Sequence, residues 1–328
     1  MITQKDIEIF SIKENDFEKK AIEMMHFQYQ NCNIYAQFID ALKINLSTIN
    51  TIEKIPFLPI SFFKTHTILH QDVEKENCVL FESSATTGMQ VSKHFVAKPE
   101  LYEMSMRKSF ENRFGAIEEN CFLGLLPAYL ERKNSSLVFM VNDFIETSKY
   151  EQSGFYLYNF EELKNTLLEL EKYKISSVLF GVSFALIDFA KAFSMPLKYC
   201  KIIETGGMKG RQEEWTKEKL HQFLSEAFEQ KNIFSEYGMT ELLTPSYSVE
   251  HKKFISPSWE KVLVRDEWDA LTVFKKGKGA LNIIDLANKY SCSFIATEDL
   301  GEVFVDGSFE LLGRKDNADL RGCSILVG

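Results

Sequence analysis

The sequence predicts an α/β protein, with layered sheets and helices through the middle of the chain and a β-rich part after them. Between Cys78 and Thr205, short apolar runs alternate with stretches whose apolar residues recur roughly every three or four positions, the pattern of strands joined through helices. Several runs are continuous rather than alternating, as expected of strands buried on both faces. After Thr244 the runs shorten and turn signals such as Asp306-Gly307 appear, which reads as hairpins.

The bulk properties set the limits. A chain of 328 residues with 45% hydrophobic content can bury a substantial core and forms one large or two modest domains. The net charge of −9 argues against nucleic acid or an anionic membrane surface as a default partner. The start, MITQKDIEIF, lacks the basic and apolar regions of a secretory signal, and no window reaches the roughly 18 uncharged apolar residues of a membrane span. A cytoplasmic protein without a membrane span is expected. The six cysteines include no C-x-x-C pair, so neither a zinc site nor a disulfide framework is indicated.

In chain order, residues 1 to about 50 read as helical, with Phe17, Ala21, Met24, Met25 and Tyr29 on one helical face. IPFLPISFFKTH, from Ile55 to His66, contains two prolines that forbid a continuous helix, so it reads as an irregular crossing. CVLFES (Cys78 to Ser83) reads as a strand, and Pro99 is placed to open a helix to about Phe114. CFLGLLP (Cys121 to Pro127), LVFMVNDF (Leu137 to Phe144), SSVLFG (Ser176 to Gly181) and YCKIIET (Tyr199 to Thr205) read as further strands. Helices are expected near 160 to 173, 183 to 194 and 212 to 230. The expected division is a helical region over 1–75, an α/β nucleotide-binding part over 76–245 and a β-rich part with a hinge-like end over 246–328. There is no internal repeat.

Three glycine-bearing segments follow predicted strands. Ser83, Ser84, Thr86, Thr87 and Gly88 form a hydroxyl-rich turn with Lys93 and His94 downstream, which suits phosphate oxygens but equally suits an ordinary polar loop. The spacing is not that of a Walker loop. TGGMKGR, from Thr205 to Arg211, lets backbone approach a flat ligand through Gly206 and Gly207, or simply joins strand to helix. EYGMTE, from Glu236 to Glu241, offers an aromatic face at Tyr237, a turn at Gly238, a hydroxyl at Thr240 and a carboxylate at Glu241 suited to magnesium. His94 reads either as an aid to a phosphate or carboxylate or as a satisfied structural histidine. His66 and His70 lack the neighbours that would mark a metal site.

Together these segments, with ATEDLG before Glu302 and GRKDNADLRG from Gly313 to Gly322, resemble the ordered motifs of the adenylate-forming superfamily of acyl-CoA synthetases. The resemblance implies the large N-terminal-type domain of those enzymes, with ATP and Mg2+ as cofactors. It implies phosphate contacts at Thr87 and Lys93, adenine contacts at Gly206, Gly207 and Tyr237, and an α-phosphate contact at Thr240. It further implies magnesium at Glu241 and ribose contacts at Asp299 and Arg314. One departure is Ala85, where the superfamily usually has glycine.

IPFLPISFFK, TGGMKGR and the ending DLRGCSILVG look like the acyl-protein synthetase branch, the fatty-acid-activating component of bacterial luminescence reductase complexes. That likeness implies Cys323 as an acyl carrier, with Arg321 nearby to favour its thiolate; a buried structural cysteine is the alternative. The superfamily continues past its hinge into a small domain supplying a catalytic lysine, whereas this sequence stops at Gly328. Most or all of that domain is therefore expected to be lacking, with Lys209, Lys93, Lys64 or a partner protein as the substitute cation. The expected reaction is adenylation of a carboxylic acid of the fatty kind followed by transfer to a protein thiol. Coenzyme A or a carrier-protein phosphopantetheine as acceptor, and an inactive nucleotide-binding scaffold, are the alternatives. An acyl-reductase, acyltransferase or acyl-carrier protein would be the partner.

Overall fold

A computed structural model describes residues 2–83, 90–126, 134–206, 215–250 and 252–314. The N-terminal layer comprises α1 (Gln4–Ile7), α2 (Phe17–Asn31) and α3 (Asn33–Ala41). Thr3 and Asp6 cap α1 reciprocally, and Phe17, Ala21 and Met25 bury one face of α2. The proline-bearing crossing forms a two-residue strand, β1 (Leu58–Pro59), then one helical turn, α4 (Phe62–Thr65). β1 pairs in parallel with β14 (Phe294–Val303), so this irregular segment is stitched to the main sheet.

Next comes a two-stranded hairpin of β2 (Val79–Glu82) and β3 (Lys93–Val96), whose connection is the hydroxyl-rich turn. α5 (Pro99–Phe114) begins at Pro99, as its fixed φ and missing N–H favour. Then follow β4 (Cys121–Leu125), α6 (Ser136–Thr147), β5 (Gly154–Phe155), α7 (Phe160–Lys172), β6 (Ser177–Val182) and α8 (Ser183–Ala192). β7 (Cys200–Thr205), α9 (Lys217–Phe228) and β8 (Ile233–Tyr237) complete the parallel part.

One strand expectation is wrong. Leu137 to Phe144 lies in the helix α6. Its β-branched, continuous apolar run imitates a buried strand, but Met140, Val141 and Phe144 fall on one helical face and are the residues buried. The Ser135 hydroxyl accepts from the Val138 N–H at 3.4 Å, supplying the N-cap that the sequence reading passed over.

The parallel strands run in the order β5-β4-β6-β7-β8 and are covered on both faces. Leu123, Leu125, Leu179 and Ile202 pack with Leu167, Phe189 and Phe228 of α7, α8 and α9. Their neighbours Phe122, Phe180 and Ile203 belong to the opposite core, with Phe110 of α5 and Phe144 of α6. Alternation along each strand thus feeds two cores, which is why the runs are apolar throughout.

Beyond β8 the same sheet continues antiparallel through β9 (Ser246–Glu250), β10 (Lys253–Ile255), β15 (Phe309–Arg314), β14, β13 (Gly277–Asp285), β11 (Glu260–Arg265) and β12 (Val273–Phe274). β14 and β15 form the hairpin signalled by Asp306-Gly307, and Gly307 takes the positive φ of 80° such a turn requires. The register of this pair slips between Leu300 and Gly301, a bulge immediately after Asp299.

Gly301 makes that bulge possible. A Cβ there would lie 2.6 Å from the Glu310 carbonyl oxygen and 2.9 Å from Leu281 Cδ1, and the backbone oxygen has nowhere to go. Gly301→Ala is expected to cost about 1–3 kcal/mol in denaturant unfolding. Unchanged stability would mean that the two strands do not approach this closely.

Candidate active site

β7 and β8 are neighbours, and their C-terminal ends deliver two of the sequence-predicted segments side by side. Ligands of open α/β sheets sit beyond such carboxyl ends. β7 ends at Thr205, and Gly206 follows at a φ of 75°, which the absence of a Cβ permits. The Ser183 hydroxyl donates to the Gly206 carbonyl at 2.6 Å and so fixes the turn. Gly207 lies outside the described residues.

At the end of β8, the buried Tyr237 donates its hydroxyl to Asp299 Oδ2 at 2.7 Å. Asp299 stands opposite Arg314 in the β14–β15 register, and its Oδ1 lies 3.8 Å from Arg314 Nε. Arg314 also reaches Glu298 at 3.5 Å and remains largely exposed. Burial raises the Asp299 carboxyl, against the Tyr237 hydrogen bond and the Arg314 charge. Thus Tyr237, Asp299 and Arg314, from three separate segments, meet at one corner.

A buried acid, Glu204, and a half-buried one, Glu236, lie under the glycine turns. Glu204 accepts from Ser183 at 3.1 Å and Ser235 at 2.6 Å, with Lys217 3.2 Å away. Burial opposes its ionisation, but His221, Lys217 and Ser235 together bring the carboxyl down to about 2. Glu236 accepts from the Thr205 hydroxyl and so ties the end of β7 to β8. Burial foremost, and the charge of Glu204 after it, push the Glu236 carboxyl up to about 7. A Cβ on Gly238 would meet this same carboxylate, so a side chain there would require the Glu236 carboxylate to shift. Glu236 stands within EYGMTE, yet the motif reading passed over it.

The third cluster surrounds the hydroxyl-rich turn. Ser83 and Ser92 close its neck, with the Ser83 N–H on the Ser92 carbonyl at 3.1 Å and the Ser92 N–H on Ser83 Oγ at 2.9 Å. Ser84, Thr86, Thr87 and Gly88 lie outside the described residues. Gln90 donates to the Lys64 carbonyl at 2.6 Å, which attaches α4 to this turn. Glu241 is buried here; burial raises its carboxyl, opposed by a hydrogen bond from Ser92 and by the charges of Arg314 and Lys64. Lys93 is half exposed, and its Nζ lies 3.9 Å from Glu82 across the hairpin. By strand alternation it faces away from His94, so the structure groups it with Glu82 and not with Thr240.

His94 is fully buried, with Nδ1 2.8 Å from the Thr240 carbonyl and Nε2 3.2 Å from Asn288 Oδ1. Burial lowers it to about 4, leaving it neutral. Of the two sequence readings, the structural histidine is the one these contacts match. Ser92 and Asn288 carry no motif signal and were invisible in the sequence. Lys209 and Cys323 lie outside the described residues.

The fold is that of adenylate-forming enzymes. It is similar to an open conformation of 2-hydroxyisobutyryl-CoA ligase in complex with 2-HIB-AMP and CoA, at a TM-score of 0.67 and 10% identity, over 92% of this chain and 70% of that one. It is also similar to ATP-bound MatB from Rhodopseudomonas palustris (TM-score 0.54, 12% identity, 75% of this chain, 50% of that chain). A third likeness is to McyG A-PCP complexed with phenylalanyl-adenylate (TM-score 0.52, 15% identity, 86% and 54%). The chain thus spans about half to 70% of the length of these proteins. No curated protein matches it in sequence. A model of the family described as LuxE, acyl-protein synthetase, matches residues 9–327, and the chain belongs to that family. Among the described residues, no helix is long and apolar enough to cross a membrane.

The Glu236 carboxyl gives a test by pH. Its folded value, about 7, lies above the ordinary 4.5, so its proton favours the folded state. That stability is fully present below about pH 4.5 and is lost as pH rises through 7. Glu236→Gln is expected to match the wild type at pH 4.5 and to exceed it by on the order of 1–3 kcal/mol at pH 8 in chemical denaturation. Parallel stability curves for the two proteins would contradict the placement of this acid.

Proposed function

We propose that this protein activates a fatty carboxylic acid with ATP as an acyl-adenylate and passes the acyl group to a protein thiol. The observation that carries the reading is the meeting of Tyr237, Asp299 and Arg314 at one corner beside the Gly206 turn. An aromatic ring, a carboxylate and a guanidinium converge there, as adenine and a ribose diol require. Membership of the acyl-protein synthetase family supports the choice of reaction.

In this reading the adenine lies between the Gly206 turn and Tyr237, and Asp299 with Arg314 takes the ribose hydroxyls. The turn from Ser83 through Gly88 holds the β- and γ-phosphates. Thr240 donates to the α-phosphate. The substrate carboxylate attacks the α-phosphorus, an O–P bond forms, the bond to the bridging oxygen breaks, and pyrophosphate leaves. Lys64 is the proposed cation beside this centre: its charge reaches Glu241, and Gln90 holds its carbonyl against the phosphate turn. Lys93 contributes at the mouth of the same hairpin.

Glu241 fits a magnesium ligand. Among the described residues no three His, Cys, Asp or Glu gather as a metal cage, and magnesium is commonly held by one or two carboxylates together with substrate phosphates. The buried carboxyl is raised, a penalty that a neighbouring divalent cation removes. When bound, the ion neutralises phosphate charge. For the second half-reaction, Cys323 is the proposed acceptor. Its thiolate attacks the acyl carbonyl, the C–S bond forms, the C–O bond to AMP breaks, and AMP departs with the electron pair.

Acid-dependent exchange of pyrophosphate into ATP, run over acids of graded chain length, tests the first step. Exchange is expected with fatty acids, and Thr240→Val is expected to lower its rate about 10²–10³-fold. ATP binding without exchange for any acid would leave a nucleotide-binding scaffold instead. For the second step, ATP, magnesium and labelled fatty acid are expected to give a hydroxylamine-labile adduct that is absent from Cys323→Ser. An adduct persisting in that variant would move the acceptor elsewhere, and transfer to coenzyme A or phosphopantetheine would then be measured directly.

A further inference from the structure

Thr240 and Glu241 sit between β8 and β9, in a stretch with no helix or strand of its own. Their carbonyls therefore need partners from elsewhere, and the structure supplies two buried side chains. His94, brought by β3, lies 2.8 Å from the Thr240 carbonyl through Nδ1. Asn288, in the turn between β13 and β14, donates its amide to the Glu241 carbonyl at 2.8 Å. A neutral imidazole has one ring proton. On Nδ1 it donates to the Thr240 carbonyl at the shorter contact, and Nε2 then faces Asn288 Oδ1 at 3.2 Å without a hydrogen bond.

Both holding groups are themselves held. Phe63 packs edge-on against the His94 ring at 5.4 Å. The Asn288 carbonyl accepts from Gln28 at 3.1 Å, and the same Gln28 accepts from the Ser293 N–H at 3.0 Å. Asp285, at the head of the turn, accepts from the Leu243 N–H at 2.8 Å and the Thr244 hydroxyl at 2.7 Å. The turn thus grips residues 240–244 from the buried side.

We infer that His94 and Asn288 are positioning residues for the nucleotide site. By holding two consecutive carbonyls they fix the 240–241 peptide, and with it the Thr240 hydroxyl and the Glu241 carboxylate. The inference rests on the reading of Thr240 and Glu241 as phosphate and magnesium contacts. Neither residue touches substrate in this scheme; each acts through the backbone it holds. Since Glu241 is the proposed metal ligand, the clamp's contribution falls on the magnesium-dependent part of ATP binding.

The test is calorimetric binding of ATP to the full chain, with and without magnesium. Asn288→Leu keeps the bulk and removes the donor; His94→Phe keeps the ring and removes its proton. Each is expected to weaken magnesium-ATP binding about 10–100-fold, the range for groups that orient a metal ligand, while metal-free ATP binding changes far less. His94→Gln, which restores an N–H, is expected to recover part of the loss. Arg107→Met, which removes a bidentate pair with Asp143 between α5 and α6, serves as the stability control, lowering the melting temperature without altering magnesium-ATP affinity.

Equal losses with and without magnesium, or losses that simply follow melting temperature, would overturn the inference. So would wild-type affinity in Asn288→Leu. If the wild type binds magnesium-ATP but catalyses no exchange, adenylation falls while the clamp is still judged on binding. If it binds no nucleotide, both fall.

Discussion

Beyond the exposed Gly238, the stretch from Tyr237 to Ser246 enters the interior without a ladder or a helix to satisfy it. Buried backbone groups almost always find partners, and here they come from His94, Asn288 and Asp285. Those three residues belong to a hairpin before the parallel strands and to a turn well after them. The turn is secured in its own right by Gln28, and by Lys289 and Tyr290 bonding to the buried Asp6. The N-terminal helices, the β2–β3 hairpin and the β13–β14 turn are therefore one support with a common load. Loosening α2 would be felt at Glu241 through Gln28 and Asn288.

A second constraint is the handling of acids that the sheet places indoors. Burying a carboxylate is costly unless it is paired or keeps its proton. The protein uses both solutions on adjacent strands. Glu204 has Lys217, His221 and two hydroxyls and is ionised. Glu236 has a single hydroxyl and the Glu204 charge nearby, and burial pushes its carboxyl up to about 7. Glu260 and Asp285, opposite one another in register, are both raised by burial.

The sequence was most legible where local chemistry and fold agree. Pro99 opened a helix, Asp306-Gly307 turned a hairpin, and the runs at Cys121, Ser177 and Cys200 became buried parallel strands because alternate residues feed two cores. The 137–144 run failed because a helix packed on a sheet can be as apolar as a strand, and the deciding signal was the cap at Ser135. Motif order marked Tyr237 and Asp299, and the fold brings the two into contact. Asn288 and Gln28 were not marked, because a residue that acts through a distant carbonyl leaves no spacing pattern near itself. Lys93 stands in a motif as well, and its Nζ lies 3.9 Å from Glu82 across the hairpin.

The 10% identity to a structure with the same fold follows from these constraints. A core needs apolar residues of about the right volume at alternating positions, and many sequences meet that demand. Strand ends are less forgiving. A side chain at Gly238 would displace the Glu236 carboxylate, and Gly301 cannot take one because the Glu310 carbonyl occupies its space. The close approach at Gly301 lies two residues from Asp299, the partner of Tyr237. Site geometry is thus set by close backbone approaches at a few strand ends and by buried amides that hold loops from behind, and only the first kind is written in short motifs.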